Sequence, residues 1–266
     1  MSLAVISLLT DFGDRDAFVG IMKGVIWKIA PQVQIADLTH WIEPQNVMHG
    51  ALILGQSYAY FPEGSVHVAV VDPGVGTQRK AIAARIGKFF FVAPDNGLLT
   101  LPLEQSERLG EPIHVVELNE PRFWLPEVSK SFHGRDIFAP CAAHLATGVP
   151  LDEMGSRLDS SALVRVVIPK PQPIKGGWQA QILMVDVFGN LISNLTMDDL
   201  GGQAIRSVRI AGVSIEQFTR TFGEAPPGSL ISMFDSSGYL SICVVNGNAQ
   251  KQLNVRIGEP LEVITG

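Results

Sequence analysis

The first 168 residues alternate between short apolar runs and stretches in which apolar residues recur at helical spacing. Ala4 to Leu9 is a continuous apolar run of the kind found in buried strands. A helical pattern follows and ends before Pro31, carried by Phe18, Ile21, Met22, Val25, Ile26 and Ile29. Such alternation favours an α/β domain with a mainly parallel sheet, which we predict for residues 1–168.

The same patterns predict the other main elements of this domain. Apolar runs predict strands at Gln34–Leu38, Val66–Val71, Ala81–Ile86 and Phe89–Ala93, the last two joined as a hairpin at Gly87 and Lys88. Helical patterns predict helices at Asn46–Tyr60 and Arg135–Thr147, the second closed by Gly148.

The pattern changes after a segment rich in proline and glycine, residues 168–177, which is typical of a linker. Short β-rich runs separated by turns then follow at Ala180–Val185, Ser207–Ile210, Leu230–Phe234, Tyr239–Val245 and Leu261–Ile264. We therefore predict a smaller, all-β, barrel-like domain over residues 178–266.

Composition narrows the class of protein. The chain is 46% hydrophobic, which is enough for a packed core, and its formal net charge of −6 argues against a nucleic-acid partner. The two cysteines, Cys141 and Cys243, lie far apart in apolar surroundings, so we expect no disulfide and a reducing, cytoplasmic location. We also expect no signal peptide, since the first residues lack a basic segment, and no membrane contact, since no apolar run is long enough to span a bilayer.

Three predicted strands are followed by an aspartate: Asp11, Asp72 and Asp95. The carboxyl ends of parallel strands share one edge of a sheet, where ligands bind, so together these acids favour a site. Each alone is equally explained as a turn former or helix cap.

The loop from Asp72 to Arg79 contains Pro73, Gly74 and Gly76, which allow sharp turns beside a ligand. It lacks the residue order of a phosphate-binding loop. Arg79 can fold back to pair with Asp72, either as part of a site or as a structural salt bridge.

His133 precedes a predicted helix, whose N-terminal dipole disfavours a charged imidazole. A single histidine in such a place is more often structural than catalytic, but Arg135 and Asp136 beside it offer charged partners. We interpret Asp136 as an acid of the first helical turn that complements the dipole.

The C-terminal part carries two further segments of interest, Asp186–Asn194 and Asp235–Ser241. Phe188 is suited to stack on a flat ring, and Asn190 to hydrogen-bond a purine edge. Hairpin turns explain the same residues equally well.

Taken in order, these motifs resemble the S-adenosylmethionine (SAM) hydroxide adenosyltransferases, water-using relatives of the bacterial fluorinase and chlorinase. The matching segments span nearly the whole chain: Leu9–Gly13 with Asp16, Asp72–Gly76 with Arg79, Ala93–Leu99, Phe132–Asp136, Phe188–Asn190 and Ser237–Tyr239. The resemblance implies an N-terminal α/β domain, a C-terminal barrel-like domain, and a homotrimer with each active site at a subunit interface. It also implies cleavage of SAM to adenosine and methionine.

The resemblance assigns roles to residues of the N-terminal part. It implies that Asp11 holds the ribose hydroxyls and that Asp16 contacts the methionine ammonium. Asp72, Arg79 and His133 match the three residues that position or activate the attacking water. The halogenases have other residue types at positions 72 and 133, so an acid and an imidazole here favour water.

The remaining predicted substrate contacts come from three other motifs. Asp95 and Asn96 lie in the matched segment Ala93–Leu99, Phe188 and Asn190 match the adenine pocket, and Ser236 matches the region that meets the methionine carboxylate. SAM is the substrate on this hypothesis, and neither a cofactor nor a metal is implied.

We therefore predict hydrolysis of SAM by in-line attack of water on the ribose C5′ carbon, with either His133 or Asp72 as the base. Three alternatives stay open. They are a metal-dependent hydrolase that uses Asp11, Asp72 and His133 as ligands, a halide-using transferase, and a sensor that binds SAM or adenosine without turnover.

Overall fold

A computed structural model describes residues 4–266, and the chain divides into two compact units. The first unit ends at Val167 and the second runs from Ile168 to Gly266. The segment predicted to be a linker lies at the start of the second unit and is partly strand, because Gln172–Ile174 pairs with the strand that follows it.

The first unit contains one seven-stranded sheet and four α-helices. The strands are β1 (Val5–Thr10), β2 (Gln34–Thr39), β3 (Val66–Val70), β4 (Ala81–Ile86), β5 (Phe89–Pro94), β6 (Ile113–Glu117) and β7 (Arg157–Leu158). The helices are α1 (Phe18–Ile29), α2 (Val47–Ser57), α3 (Thr100–Leu109) and α4 (Ala139–Ala146).

The sheet is mixed, so the prediction of a mainly parallel sheet holds for only half of it. The strand order is β2-β1-β3-β5-β4-β6-β7. The pairs β1–β2, β1–β3 and β3–β5 are parallel, whereas β4–β5, β4–β6 and β6–β7 are antiparallel. The reversal follows from the two-residue turn at Gly87 and Lys88, since so short a connection can only join antiparallel strands.

Helices cover both faces of the sheet, as the alternation along β3 shows. Val66, Val68 and Val70 pack in one core cluster with residues of α1 and α4. Ala69 and Val71 pack in a second cluster with residues of α2 and α3. Successive strand residues point to opposite faces, so a strand covered on both faces is apolar throughout.

The second unit is an antiparallel, barrel-like sheet. Its strands are β8 (Gln172–Ile174), β9 (Gly177–Val185), β10 (Leu191–Thr196), β11 (Ile205–Ile210), β12 (Val213–Ile215), β13 (Leu230–Phe234), β14 (Tyr239–Val244) and β15 (Pro260–Thr265). The order is β12-β11-β15-β9-β10-β14-β13, and β8 pairs with β9. A bridge between Phe218 and Ser232 brings the chain beyond β12 against β13, which nearly closes the sheet. A short helix, α5 (Ala249–Leu253), follows β14.

Within residues 4–266, no helix has the length and apolar character that a membrane crossing requires. Both cysteines are buried and free, as the sequence predicts.

One buried histidine of the first unit makes its stability sensitive to acid. His67, on β3, is fully buried, and its Nδ1 lies 2.6 Å from the hydroxyl of Ser7 on β1. The aromatic rings of Tyr58, Phe61 and Phe91 surround it. Burial lowers the pKa of His67 from 6.5 to about 4, so the folded protein holds this ring neutral.

We expect His67 to reduce stability progressively below neutral pH. Because its folded-state pKa is lowered, its cost is absent above the unfolded value of 6.5 and grows as pH falls toward 4. Between about pH 7 and about pH 4.5 it should remove about 2–3 kcal/mol of unfolding free energy. Urea unfolding of the wild type and of His67→Gln across this range measures the difference, and equal pH slopes for the two proteins would contradict the prediction.

Candidate active site

The first acid of the site directly follows β1. Asp11 accepts a hydrogen bond on Oδ2 from the backbone N–H of Gln45, at 2.8 Å. Gln45 has a φ of 65°, a left-handed conformation that is uncommon outside glycine and occurs at functional sites. The next turn is held by Gly13, whose N–H donates to the carbonyl of His40 at 2.7 Å. The ends of β1 and β2 are therefore tied together around Asp11.

The second acid, just beyond β3, forms a buried ion pair. Nε of Arg79 lies 3.0 Å from each carboxylate oxygen of Asp72, and Nη2 lies 2.5 Å from Oδ2. The two side chains are only 5% and 10% exposed, so solvent screens this pair weakly. Arg79 also lies over the ring of the buried Phe138, 5.2 Å from its centre. The pairing of Arg79 with Asp72, one of the possibilities in the sequence, is therefore present in the structure.

The same guanidinium reaches His133. Nη2 of Arg79 lies 2.9 Å from Nδ1 of the imidazole. A guanidinium nitrogen can only donate, so Nδ1 is the acceptor and the neutral ring carries its proton on Nε2. Burial, followed by the charge of Arg79, lowers the pKa of His133, while Asp72 and Asp136 act in the opposite direction. The imidazole is therefore neutral near neutral pH.

The segment before His133 is held by Asp136, which lies in the first helical turn, as predicted. Asp136 is fully buried and accepts hydrogen bonds from the N–H and hydroxyl of Ser129, at 2.8 and 2.7 Å, and from Arg135 at 2.5 Å. Residues Gly134–Phe138 form a π-helical turn before α4, a feature frequent at functional sites. Asp136 therefore also anchors this segment through Ser129, a contact that the sequence did not predict.

Two loops touch through Gly76. This glycine has a φ of +76°, and a Cβ placed on it would overlap the carbonyl oxygen of Lys130. Only glycine allows this approach at low cost. The contact brings the Asp72–Arg79 loop against the segment that carries His133.

These residues surround an open pocket of about 420 Å³. Its lining residues are Asp11, Phe12, Phe18, Gln45, Val70, Asp72, Pro73, Val75, Ser131, Phe132, His133 and Gly134. Three phenylalanines that were not among the predicted site residues also line the pocket, and their rings pack edge to face with centres 5.3 to 5.9 Å apart. The available signal was position in the sequence, since Phe12 directly follows Asp11 and Phe132 directly precedes His133.

Four predicted site residues of the first unit do not line this pocket, and Arg79 is one of them, since it contacts two lining residues, Asp72 and His133. Asp16 is exposed in the loop before α1. Asp95 accepts from the N–H of Val164 at 2.9 Å, and burial raises its pKa. Asn96 donates to the carbonyl of Val71 at 2.8 Å, directly before Asp72. Asp95 and Asn96 thus make hydrogen bonds that fix the backbone at the sheet edge.

The predicted residues of the second unit lie in two hairpin turns of the same design. In the first turn, Asp186 accepts from the N–H groups of Phe188 and Asn190, each at 2.9 Å, and from the side-chain amide of Asn190 at 2.7 Å. In the second, Asp235 accepts from the N–H groups of Ser237 and Tyr239. The turns are therefore the hairpins that the sequence allowed.

The hairpin turns also present side chains to solvent. The ring of Phe188 is 71% exposed, and Ser236 is exposed as well. The pairing of Leu191 with Ile242 and of Thr196 with Tyr239 places the two turns at opposite ends of the β10–β14 pair.

This arrangement of side chains does not favour a metal site. Across the described part of the chain, no cluster of His, Cys, Asp or Glu side chains is placed to hold a metal ion. The guanidinium of Arg79 occupies the position between Asp72 and His133, where a cation bridging these two ligands would have to lie.

The α/β unit carries a buried cluster of an acid, a guanidinium and an imidazole at a pocket, and a barrel-like unit follows it. Such a cluster at a pocket is typical of an enzyme. The chain belongs to the SAM hydroxide adenosyltransferase family: residues 6–155 match the family's N-terminal domain and residues 180–262 its C-terminal domain.

Individual relatives match over almost the whole chain. A protein of Salinispora arenicola named (R)-S-adenosyl-L-methionine hydrolase is 43% identical over 261 residues, covering 98% of each chain. A fluorinase of an Actinoplanes species is more distant, 30% identical over 90% of each chain. The crystal structure of a conserved Thermotoga maritima protein superposes with a TM-score of 0.89 at 35% identity, covering 97% of this chain and 99% of that one.

We expect the pKa of His133 to respond in opposite directions to its two neighbours. Arg79→Gln removes a positive charge and should raise the pKa, whereas Asp72→Asn removes a negative charge and should lower it further. NMR titration of the imidazole resonance, assigned by its loss in His133→Asn, measures both shifts. Shifts of the same sign in the two variants would contradict the proposed contacts.

Proposed function

We propose that this protein hydrolyses SAM to adenosine and methionine by attack of water on the ribose C5′ carbon. The observation that carries the proposal is the Asp72–Arg79–His133 cluster, held within hydrogen-bonding distance at a pocket. Membership of the family and a relative named as a hydrolase at 43% identity support the same reaction.

The substrate is proposed to be the (R) epimer at sulfur. The sulfonium of SAM carries three different carbon groups and a lone pair, so it exists in two configurations. The Salinispora arenicola relative is named for the (R) form. The two epimers aim the methionine chain differently from a fixed ribose, so a site that positions the ribose can distinguish them.

The reaction makes modest demands on the protein. The C5′–S bond breaks with its electron pair passing to sulfur, and a neutral thioether leaves without a general acid. A new C5′–O bond forms from water, which loses one proton. Positioning the water opposite sulfur is the main requirement, and orientation of this kind can contribute roughly 7–11 kcal/mol. The proposed reaction uses no cofactor.

Asp72 has an oxygen that is free to accept the proton of the attacking water. The lone pair of His133 Nδ1 faces Arg79, whereas Oδ1 of Asp72 receives only the Nε donor. A carboxylate oxygen has room for a further hydrogen bond, here from the attacking water. Arg79 balances the charge of the carboxylate, and His133 holds Nη2 of Arg79 in its place beside Asp72.

The direct test is incubation of the protein with each SAM epimer in ¹⁸O-labelled water. We expect label in the 5′-hydroxyl of adenosine, with faster turnover of the (R) epimer and no effect of EDTA. Adenosine without label, or turnover abolished by EDTA, would contradict direct attack by water. A 5′-halogenated adenosine in chloride or fluoride would favour the transferase, and binding without methionine release would favour the sensor.

Replacing His133 by Ala should lower kcat by roughly 10²-fold with a much smaller change in KM. The physical reason is that the imidazole holds Arg79, which in turn orients the carboxylate of Asp72 that accepts the proton of the water. Steady-state kinetics measure both constants, and equal losses in substrate affinity and turnover would argue for a role in binding alone.

The proposed substrate contacts involve both units. Asp11 would hold the ribose hydroxyls with Oδ1, since the hydrogen bond from Gln45 is made to Oδ2. Asp16 would meet the methionine ammonium and Ser236 its carboxylate, while Phe188 and Asn190 would bind adenine. The exposed ring of Phe188 supports the last assignment, because a side chain so open to solvent is available for stacking. Asp95 and Asn96 are assigned a supporting role.

We further propose a homotrimer in the cytoplasm, with each site shared between two subunits. The free, buried cysteines are compatible with a reducing compartment. The shared site follows from the family resemblance and predicts complementation between two defective variants.

Co-expression of Asp72→Asn with Phe188→Ala tests the shared site. Each variant alone should be nearly inactive. Random mixing in a closed trimer joins an intact pocket to an intact neighbouring adenine site in about a quarter of cases, which should restore about a quarter of wild-type activity. Mixed trimers without recovered activity would show that both halves of each site come from the same chain.

A further inference from the structure

Strand β1 carries two buried hydroxyl–imidazole pairs, and only one adjoins the pocket. Ser7 pairs with His67 in an aromatic environment. Thr10, three residues later and also fully buried, lies 2.8 Å through Oγ1 from Nδ1 of His40, which is 8% exposed. The first pair belongs to the core, and the second lies directly before Asp11.

The direction of each hydrogen bond around Thr10 is determined by its partners. The backbone N–H of Phe12 donates to Oγ1 of Thr10 at 3.2 Å. A carboxylate can only accept, so the nearby Asp37 favours the proton of the His40 ring on Nε2, and Nδ1 then accepts from the hydroxyl of Thr10. Nε2 lies 3.0 Å from Oδ1 of Asp37, although the N–H does not point straight at that oxygen.

Asp37 completes a chain of polar contacts to the surface. Lys23 donates to its Oδ2 at 2.6 Å. Burial raises the pKa of Asp37, but the neighbouring Lys23 and His40 outweigh this and keep it below its ordinary value. The carboxylate is thus ionised at neutral pH and lies beside Nε2 of His40.

This chain of contacts brackets the Asp11 turn on both sides. The ring of His40 orients Thr10, whose oxygen holds the N–H of Phe12, and the carbonyl of His40 accepts from Gly13. Asp11 lies between Thr10 and Phe12, and both Asp11 and Phe12 line the pocket. Thr10 itself is fully buried with its hydroxyl engaged, so it is not placed to act as a nucleophile.

We propose that Thr10 and His40 are positioning residues that set the direction of the Asp11 carboxylate and thereby the affinity for the ribose of the substrate. The role of Asp11 in this inference rests on the proposed function. Thr10 and His40 touch no reacting atom and act through the backbone of Asp11 and Phe12.

The test compares isosteric variants at Thr10 with a matched change at Ser7. Thr10→Val removes the hydroxyl and should raise the dissociation constant for adenosine about tenfold, the effect of one well-placed hydrogen bond. Thr10→Ser keeps the hydroxyl and should stay within about twofold of wild type. Ser7→Ala breaks the other pair and should lower stability with adenosine affinity unchanged. Calorimetric titration of the full chain with adenosine, with urea unfolding of each variant, supplies the two readouts.

The Asp11→Asn variant shows whether Thr10 acts through Asp11. In Asp11→Asn, the further change Thr10→Val should have little additional effect on adenosine affinity, since the group it orients is already lost. Additive losses in the double variant would overturn the proposal. So would equal affinities of Thr10→Val and Thr10→Ser, or a loss in Ser7→Ala as large as in Thr10→Val.

The affinity for adenosine tests the positioning role separately from the proposed hydrolysis of SAM. If the wild type binds adenosine but releases no methionine from either SAM epimer, the proposed reaction fails while the Thr10 comparison still decides the positioning role. A wild type that does not bind adenosine would overturn both.

Discussion

The central interaction of this structure is the shared use of one guanidinium, that of Arg79, by a carboxylate and an imidazole. Arg79 binds Asp72 through Nε and Nη2, and the same Nη2 donates to Nδ1 of His133. This arrangement requires an ionised acid and a neutral imidazole at the same time. A guanidinium can only donate, so each of its two partners has to accept.

The surrounding backbone brings the three groups together from distant parts of the chain. Gly76 permits the loop of Asp72 to touch the backbone at Lys130, and buried Asp136 fixes the segment that leads to His133. On the other side of the pocket, Thr10 and His40 hold the turn that carries Asp11. Asp11 and His133 thus each lie near a buried polar group, Thr10 directly before Asp11 and Asp136 three residues after His133. Buried polar networks of this kind are costly unless fully satisfied, and they fix a single arrangement.

The sequence predicted those parts of the fold and site that local pattern determines. The apolar runs that became β1 and β3 marked the strand ends where Asp11 and Asp72 lie, and the short turn at Gly87 identified the β4–β5 hairpin. It did not predict α3, which has a proline in its first turn and mostly polar residues in its second half, or β10, where turn-forming residues at its start concealed a buried strand. The antiparallel pairing of β6 with β4 and with β7 joins strands far apart in sequence, which no local pattern encodes.

For the site too, the sequence predicted what neighbouring residues determine and missed what depends on distant ones. That Arg79 bridges Asp72 and His133 depends on a distance between residues 54 positions apart in sequence. The anchoring role of Asp136 depends on Ser129, which carried no motif of its own. Asp95 shared the strand-end position of Asp11 and Asp72, but its oxygen is used by the backbone of Val164, so position at a strand end alone does not identify a site residue.

The proton positions on His133 test the central claim most directly. Neutron diffraction from deuterium-exchanged crystals near neutral pH would locate them. We expect a deuteron on Nε2, none on Nδ1, and a guanidinium deuteron of Arg79 directed at Nδ1. A deuteron on Nδ1 would mean that Arg79 does not donate to this ring, and the shared guanidinium, with the roles derived from it, would be wrong.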